Sequence, residues 1–194
     1  MDTARLLKAC RAHLAVVKSG GPSLRLVARD LEANVKKAER AFRKHPEGGA
    51  RLSSLLGRER EDGVHDGDRL REDSAAMGLL WIQRSLAFQR DLYAALAAPG
   101  GDRPGDAARV AYVRHLAPYH GWALRKIFPA SLSQMPGRDA FVAKFGGMTV
   151  EELDGESDRA VSRKLQALVS TWDPLIRSWK AEFERLGLED TRRV

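Results

Sequence analysis

Leu79-Leu80-Trp81-Ile82-Gln83-Arg84-Ser85-Leu86-Ala87-Phe88 lies inside a segment, 68–97, that is too apolar for a surface helix. At helical spacing Leu70, Met77, Trp81, Phe88 and Leu92 form one stripe, and Leu79, Ile82, Leu86 and Tyr93 form a second. Together the stripes cover well over half of the circumference, so this helix belongs in the middle of the structure, packed on two sides. One layer of amphipathic helices cannot bury it. The expectation is an all-α, two-layer sandwich of antiparallel helices with 68–97 as a central member.

Working outward, almost every segment repeats apolar residues at helical spacing and none alternates as a half-buried strand would. The pattern predicts helices at 3–18, 22–44, 50–57, 68–97, 105–117, 119–132, 137–145 and 156–187. Breaks fall at Ser19-Gly20-Gly21-Pro22, His45-Pro46-Glu47-Gly48-Gly49 and Ala98 to Gly105. Gly57 to Asp68 reads as a charged loop. Thr149-Val150-Glu151-Glu152 has the form of a capping box, and Asp173-Pro174 that of an N-cap followed by proline, so the last helix is expected to kink or restart near Trp172. No repeat and no linker interrupts the chain, which reads as a single domain over 1–194.

Composition narrows the function. The 194 residues carry 33 Lys and Arg against 26 Asp and Glu, a net charge of +7, and 43% hydrophobic residues. That is enough apolar material for a core. The one cysteine, Cys10, cannot form an internal disulfide, and no Cys/His cluster has metal-ligand spacing, so no metal and no cofactor are expected and a reducing, cytoplasmic setting is. The longest uncharged, mainly apolar stretch, Ser74 to Ile82, is far short of the ~20 residues that span a bilayer. Basic residues are scattered over several segments instead of lining one face, which argues against nucleic acid. The sequence also lacks a phosphate-cradling glycine loop and a nucleophile motif, so the chain reads as a non-enzyme.

Three places stand out. On 22–44, Leu24, Val27, Leu31, Val35, Ala38 and Phe42 form the core stripe, and Asp30, Asn34 and Lys37 fall within about 60° of one another at its margin. Such an edge is either a solvated polar flank or a hydrogen-bonding platform for a polyhydroxylated headgroup. Trp81 reads as core, or as a stacking surface. His120 falls on one face with Leu124 and Ile127, as a satisfied, half-buried histidine would, whereas Trp122 points away with Arg125 and Lys126 and suits the headgroup level of a membrane.

Asp30-Leu31-Glu32-Ala33-Asn34-Val35-Lys36-Lys37, Leu79 to Phe88, and Ala117-Pro118-Tyr119-His120-Gly121-Trp122-Ala123-Leu124-Arg125-Lys126-Ile127-Phe128 together resemble, in that order, the glycolipid transfer protein family. The resemblance implies a sandwich of eight helices enclosing a lipid-chain cavity, and a monomeric carrier that touches membranes transiently. It implies that Asp30 binds the ceramide amide and a sugar hydroxyl, with Asn34 and Lys37 on the sugar and Trp81 stacked beneath it. His120 then meets the acyl carbonyl, and Trp122, with Arg125 and Lys126, docks on the membrane. The related ceramide-1-phosphate branch has lysine where Asn34 stands and arginines where Trp81 and Ser85 stand, so these residues favour a sugar. Two departures keep an anionic sphingolipid, sulfatide or ceramide-1-phosphate, as the alternative: the family's tyrosine near the C-terminus is absent from Thr191-Arg192-Arg193-Val194, and the basic surplus is large, with Lys37 and Arg84 the cations to inspect.

Extraction of a two-chain lipid would expose roughly thirty methylenes to water, on the order of 24 kcal/mol at ~0.8 kcal/mol each. The chain cavity must therefore be nearly as apolar as the bilayer. Periodicity nominates Val27, Leu31, Val35, Met77, Phe88, Leu92, Leu116, Leu124, Ile127 and Phe128 as its lining.

Overall fold

A computed structural model describes residues 1–19, 25–98 and 103–193. Among them the chain forms eight α-helices: α1 (Thr3–Ser19), α2 (Arg25–Lys44), α3 (Leu52–Glu61), α4 (Ala75–Ala97), α5 (Pro104–His115), α6 (Trp122–Leu132), α7 (Arg138–Gly146) and α8 (Gly155–Leu186). β-pairing among these residues is confined to two isolated bridges, so the all-α expectation holds. The predicted breaks at 20–22 and 99–102, and Leu24 of the predicted stripe, lie outside the described residues.

Several boundaries move for identifiable reasons. Helix α3 runs through Gly57 to Glu61, into the stretch read as loop, because its buried Leu52, Leu55 and Leu56 anchor it and charged residues continue its exposed side. Helix α4 begins only at Ala75. Ser74 Oγ accepts the Met77 N–H at 3.0 Å, and the Glu59 carboxylate accepts those of Ala75 and Ala76 at 2.7 and 2.9 Å, so its first turn is capped from two directions. The Thr149 segment makes half of a capping box, from Thr149 N–H to Glu152 Oε2 at 2.8 Å, and Asp154 caps α8 instead through the N–H groups of Glu156 and Ser157. Helix α8 continues through Pro174, and the restart expected near Trp172 does not occur. Asp173, taken for a cap, is held by the Arg90 guanidinium at 2.6 and 3.0 Å.

The chain divides into two compact units, 1–83 with 178–192 and 84–177, the divisions falling inside α4 and α8. In the first unit α1 packs on α2. Its core joins Leu6 and Leu14 to Leu31, Val35, Leu56, Leu79, Leu80, Trp179 and Phe183. Cys10 is buried there, and desolvation, with the Glu39 charge adding, pushes its thiol up to about 12, which leaves it unreactive. The tail closes this unit: Asp190 Oδ2 accepts the Leu70 N–H at 3.0 Å, and Arg192 Nη2 donates to the Leu70 carbonyl at 2.9 Å. In the second unit α5 packs on α6, and Leu86, Phe88, Leu92, Ala108, Tyr112, Val142 and Leu165 are buried. Tyr93 gathers Phe141, Phe145 and Trp172 within 6.4 Å.

Candidate lipid-binding site

Burial of Leu31, Val35 and Ala38 fixes the rotation of α2 and so fixes where its polar edge falls. Asn34, 3% exposed, donates its Nδ2 hydrogen to Asp30 Oδ2 at 3.1 Å. Lys37 Nζ donates to Glu72 Oε1 at 2.8 Å, and the Glu72 side chain is itself 71% exposed. Asp30 keeps an exposed side, yet the protein around its carboxyl displaces enough water to raise its pKa. The Lys37 charge opposes that rise, Glu72 adds to it and the Asn34 hydrogen bond opposes it. Two carboxylates thus flank one ammonium and one amide, an arrangement that offers acceptors to hydroxyl and amide N–H donors.

Helix α4 reaches this edge through a glycine. A Cβ at Gly78 would lie 2.6 Å from the Asn34 carbonyl oxygen and 3.0 Å from Lys37 Cβ, so the two helices touch backbone to backbone at the polar edge. Trp81 follows three residues later, hence on the same face, half-buried against the core of the first unit. The sequence therefore brings Asp30, Asn34 and Lys37 to one edge of α2, and Gly78 sets how closely α4, the helix that carries Trp81, approaches it.

In the second unit His120 is 8% exposed and its Nδ1 lies 3.2 Å from the Tyr112 hydroxyl. Phe128 stacks on Tyr112 at 4.8 Å and meets the His120 ring edge-on at 5.6 Å. Desolvation lowers the His120 pKa, which keeps the imidazole neutral near pH 7. The contact admits either tautomer: where Tyr112 donates its O–H to Nδ1 the ring hydrogen sits on Nε2, the form that can donate to an acyl carbonyl, and where Nδ1–H donates to the tyrosine oxygen Nε2 is an acceptor.

Helix α6 differs from its prediction. It starts at Trp122, after Gly121 in an extended conformation (φ −66°, ψ 172°), so helical periodicity does not carry across from His120. His120 is buried while Leu124 and Ile127 are 43% and 59% exposed, and these two cavity-lining expectations give way to a surface placement. Trp122 is 73% exposed, with Lys126 Nζ 4.3 Å from its ring centroid and Arg125 also exposed. Of the other nominated lining residues, Leu31, Val35, Met77, Phe88, Leu92 and Leu116 are buried, and Val27 and Phe128 half-buried. Arg84 is buried, its guanidinium 3.4 Å over the Tyr119 ring, and Lys37 is engaged by Glu72, so both cations marked for inspection have partners.

The family model described as Glycolipid transfer protein (GLTP) matches residues 1–147, and the chain belongs to that family. It is a lipid-transfer protein of the GLTP fold. Glycolipid transfer protein 2 of Arabidopsis thaliana is 21% identical over 96% of this chain and 79% of its own length. Pleckstrin homology domain-containing family A member 8 of Danio rerio is 26% identical over 97% of this chain, which spans only 34% of that larger protein. Among solved structures, one of FAPP2, described as selecting simple glycosphingolipids with the GLTP fold, superposes with a TM-score of 0.83 at 26% identity, covering 100% of this chain and 90% of its own. Human ceramide-1-phosphate transfer protein bound to 12:0 ceramide-1-phosphate superposes at 0.80, at 16% identity over 98% and 89% of the two chains, and shows the shared fold.

Sequence reading missed Glu72, Gly78 and Tyr112. A glycine inside an otherwise apolar helix was an available sign of close approach. Glu72 and Tyr112 carried no local sign, since each meets its partner across a break between helices.

Proposed function

We propose that the two units of this chain act as one domain, a monomeric carrier that takes a glycosphingolipid from one cytoplasm-facing membrane and delivers it to another, without catalysing a reaction. The observation that carries the reading is the Asp30, Asn34, Lys37 and Glu72 cluster at the α2 edge, two carboxylates around one ammonium, which the helix bearing Trp81 approaches through Gly78. A sugar presents hydroxyl donors to such a cluster and an apolar ring face to an indole, whereas a phosphate at the same place would face two like charges. Asp30 is assigned to the ceramide amide and a sugar hydroxyl, Asn34 and Lys37 to the sugar, Trp81 to the ring face and the His120 Nε2–H to the acyl carbonyl. Val27, Leu31, Val35, Met77, Phe88, Leu92, Leu116 and Phe128 are assigned to the chains.

Trp122, Leu124 and Ile127, with Arg125 and Lys126, are assigned to the membrane. Aromatic and aliphatic side chains at the headgroup level, flanked by cations, give a shallow contact that anionic lipid strengthens and salt weakens. A carrier needs such reversibility in order to leave with its cargo.

The alternative cargo, an anionic sphingolipid, draws on the net charge of +7 and on the fold shared with ceramide-1-phosphate transfer protein. Transfer of galactosylceramide, ceramide-1-phosphate and phosphatidylcholine between vesicles, with wild type and Trp81→Ala, separates the two. Selective galactosylceramide transfer that Trp81→Ala reduces is the expected result. Preferential transfer of ceramide-1-phosphate would move the assignment to the alternative.

A further inference from the structure

Lys37 faces two environments. On one side lies the Asp30 cluster, and on the other it forms part of the wall of a cleft of about 320 Å³ between α2, α3 and the segment leading into α4. That volume is within the ~300–1,000 Å³ of small-molecule sites. Lys37, Arg40 and Lys44 enter it from successive turns of α2, and Arg58 and Arg71 from the opposite side.

The acids of the cleft are mostly committed elsewhere. Glu59 accepts the two N–H groups that open α4, and Asp73 pairs with Arg71 at 2.9 Å, which leaves Asp62 as the one lining carboxylate without a side-chain partner among the described residues. Arg40, Lys44 and Arg58 likewise have no ion-pair partner among the described residues. Arg58 is not a side chain trailing in solvent, because its guanidinium packs on Gly48, where an added Cβ would meet it at 2.8 Å. Three unpaired cations converge on a formed cleft that begins where the sugar cluster ends.

We propose that this cleft is a second headgroup subsite, for an oxyanion carried on a sugar beyond the first: a sulfate, phosphate or carboxylate group held by Arg40, Lys44 and Arg58. The inference rests on the glycolipid reading above and narrows it to acidic glycosphingolipids with an outer charge. An anion next to the ceramide would face Asp30 and Glu72, whereas one displaced past Lys37 meets guanidinium and ammonium donors, the strong partners of oxyanions.

The test is transfer of lactosylceramide and of its sialylated counterpart between phosphatidylcholine vesicles, by wild type, Arg40→Gln/Lys44→Gln and Arg58→Gln. Loss of one charge-assisted contact corresponds to about tenfold, so transfer of the sialylated lipid should fall by about tenfold in Arg58→Gln and by up to about a hundredfold in Arg40→Gln/Lys44→Gln, while lactosylceramide stays within about twofold. Equal loss for both lipids, or no loss for the sialylated one, overturns the proposal. An arm with phosphatidylserine in the vesicles identifies the other source of oxyanion: lactosylceramide transfer that gains from phosphatidylserine and loses that gain in the variants would assign the cleft to the membrane surface and overturn the sugar assignment. If wild type moves neither glycolipid, the glycolipid reading itself fails. Inorganic phosphate titration followed by amide NMR then reports on the cleft alone, where saturable shifts at 37–44 and 58 that vanish in the variants uphold an oxyanion site and their absence removes it.

Discussion

The edge of α2 and the outer face of α6 are both polar–apolar borders, and they are finished in opposite ways. On α2 the Asn34 amide is bonded to Asp30, and Lys37 to Glu72. On α6, Trp122, Leu124 and Ile127 stand uncovered beside Arg125 and Lys126. A ligand at α2 must replace hydrogen bonds with equally good ones, and a mismatch leaves a polar group unpaired at a cost of about 1–3 kcal/mol. A bilayer at α6 only covers apolar area, at ~25 cal/mol per Å², whatever lipid supplies the cover. On the proposed reading, one border discriminates and the other adheres. A lipid carrier needs both, on different residues, so that recognition and release can be tuned separately.

Asp30 is where the two borders differ most in chemistry. Asp30→Val should lower glycolipid binding by roughly 10- to 100-fold, the worth of one or two charge-assisted hydrogen bonds, with helical content unchanged by circular dichroism. Because the folded Asp30 pKa is raised, the folded state binds more protons than the unfolded state just above pH 3.8, and the ionised group opposes folding at neutral pH. Asp30→Asn should therefore keep or slightly raise the Tm at pH 7 while still weakening binding. A lower Tm would mean that the carboxylate serves the fold.

Gly78→Ala comes next. Its Cβ would press on the Asn34 carbonyl at 2.6 Å, and overpacking of that kind costs about 1–3 kcal/mol. Thermal unfolding should show the loss, and glycolipid affinity should fall with it because the α2 edge shifts. Normal affinity in a destabilised variant would separate the helix contact from the site.

Trp122→Ala sharpens the contrast from the other side. It should reduce vesicle binding several-fold, as removal of an exposed indole from a shallow contact implies, and leave stability within ~0.5 kcal/mol and affinity for micellar glycolipid unchanged. Loss of that affinity would place Trp122 in the recognition site.

The smallest effect is expected from acid. Desolvation lowers the pKa values of His13, His65 and His120, with the Glu59 charge partly opposing the shift at His65. Unfolded histidines titrate near 6.5, so the stability these neutral rings contribute is fully present above that pH and is lost as pH falls toward and through their folded values. Denaturant melts between pH 7.5 and 5 should show the decline. Tyr112→Phe should lower glycolipid affinity several-fold by removing the hydroxyl that lies 3.2 Å from His120 Nδ1 and holds the ring in place.

The polar edge of α2 was legible because Asp30, Asn34 and Lys37 lie on one uninterrupted helix, where 100° per residue places them without reference to anything else. His120 and Leu124 were misgrouped by the same rule, applied across Gly121, where the helix had not yet begun. The charged stretch after Gly57 was read as loop although α3 continues to Glu61, since a helix whose apolar side is already anchored tolerates a turn of charged residues. Asp173-Pro174 carried the form of a helix start, yet Arg90, more than twenty turns of helix away along the chain, claims its carboxylate.

Local periodicity and side-chain chemistry suffice for the helices, their apolar stripes, the order of three family motifs and the residue types at the polar edge of α2. Packing between segments settles that Glu72 engages Lys37, that Gly78 brings α4 onto Asn34, that Tyr112 meets His120, and that Leu124 and Ile127 are exposed while Arg40, Lys44 and Arg58 share a cleft. The physical reason is common to all of them. Helical spacing relates residues within one helix, whereas a turn between helices resets rotation and direction, and contacts across it are set by packing.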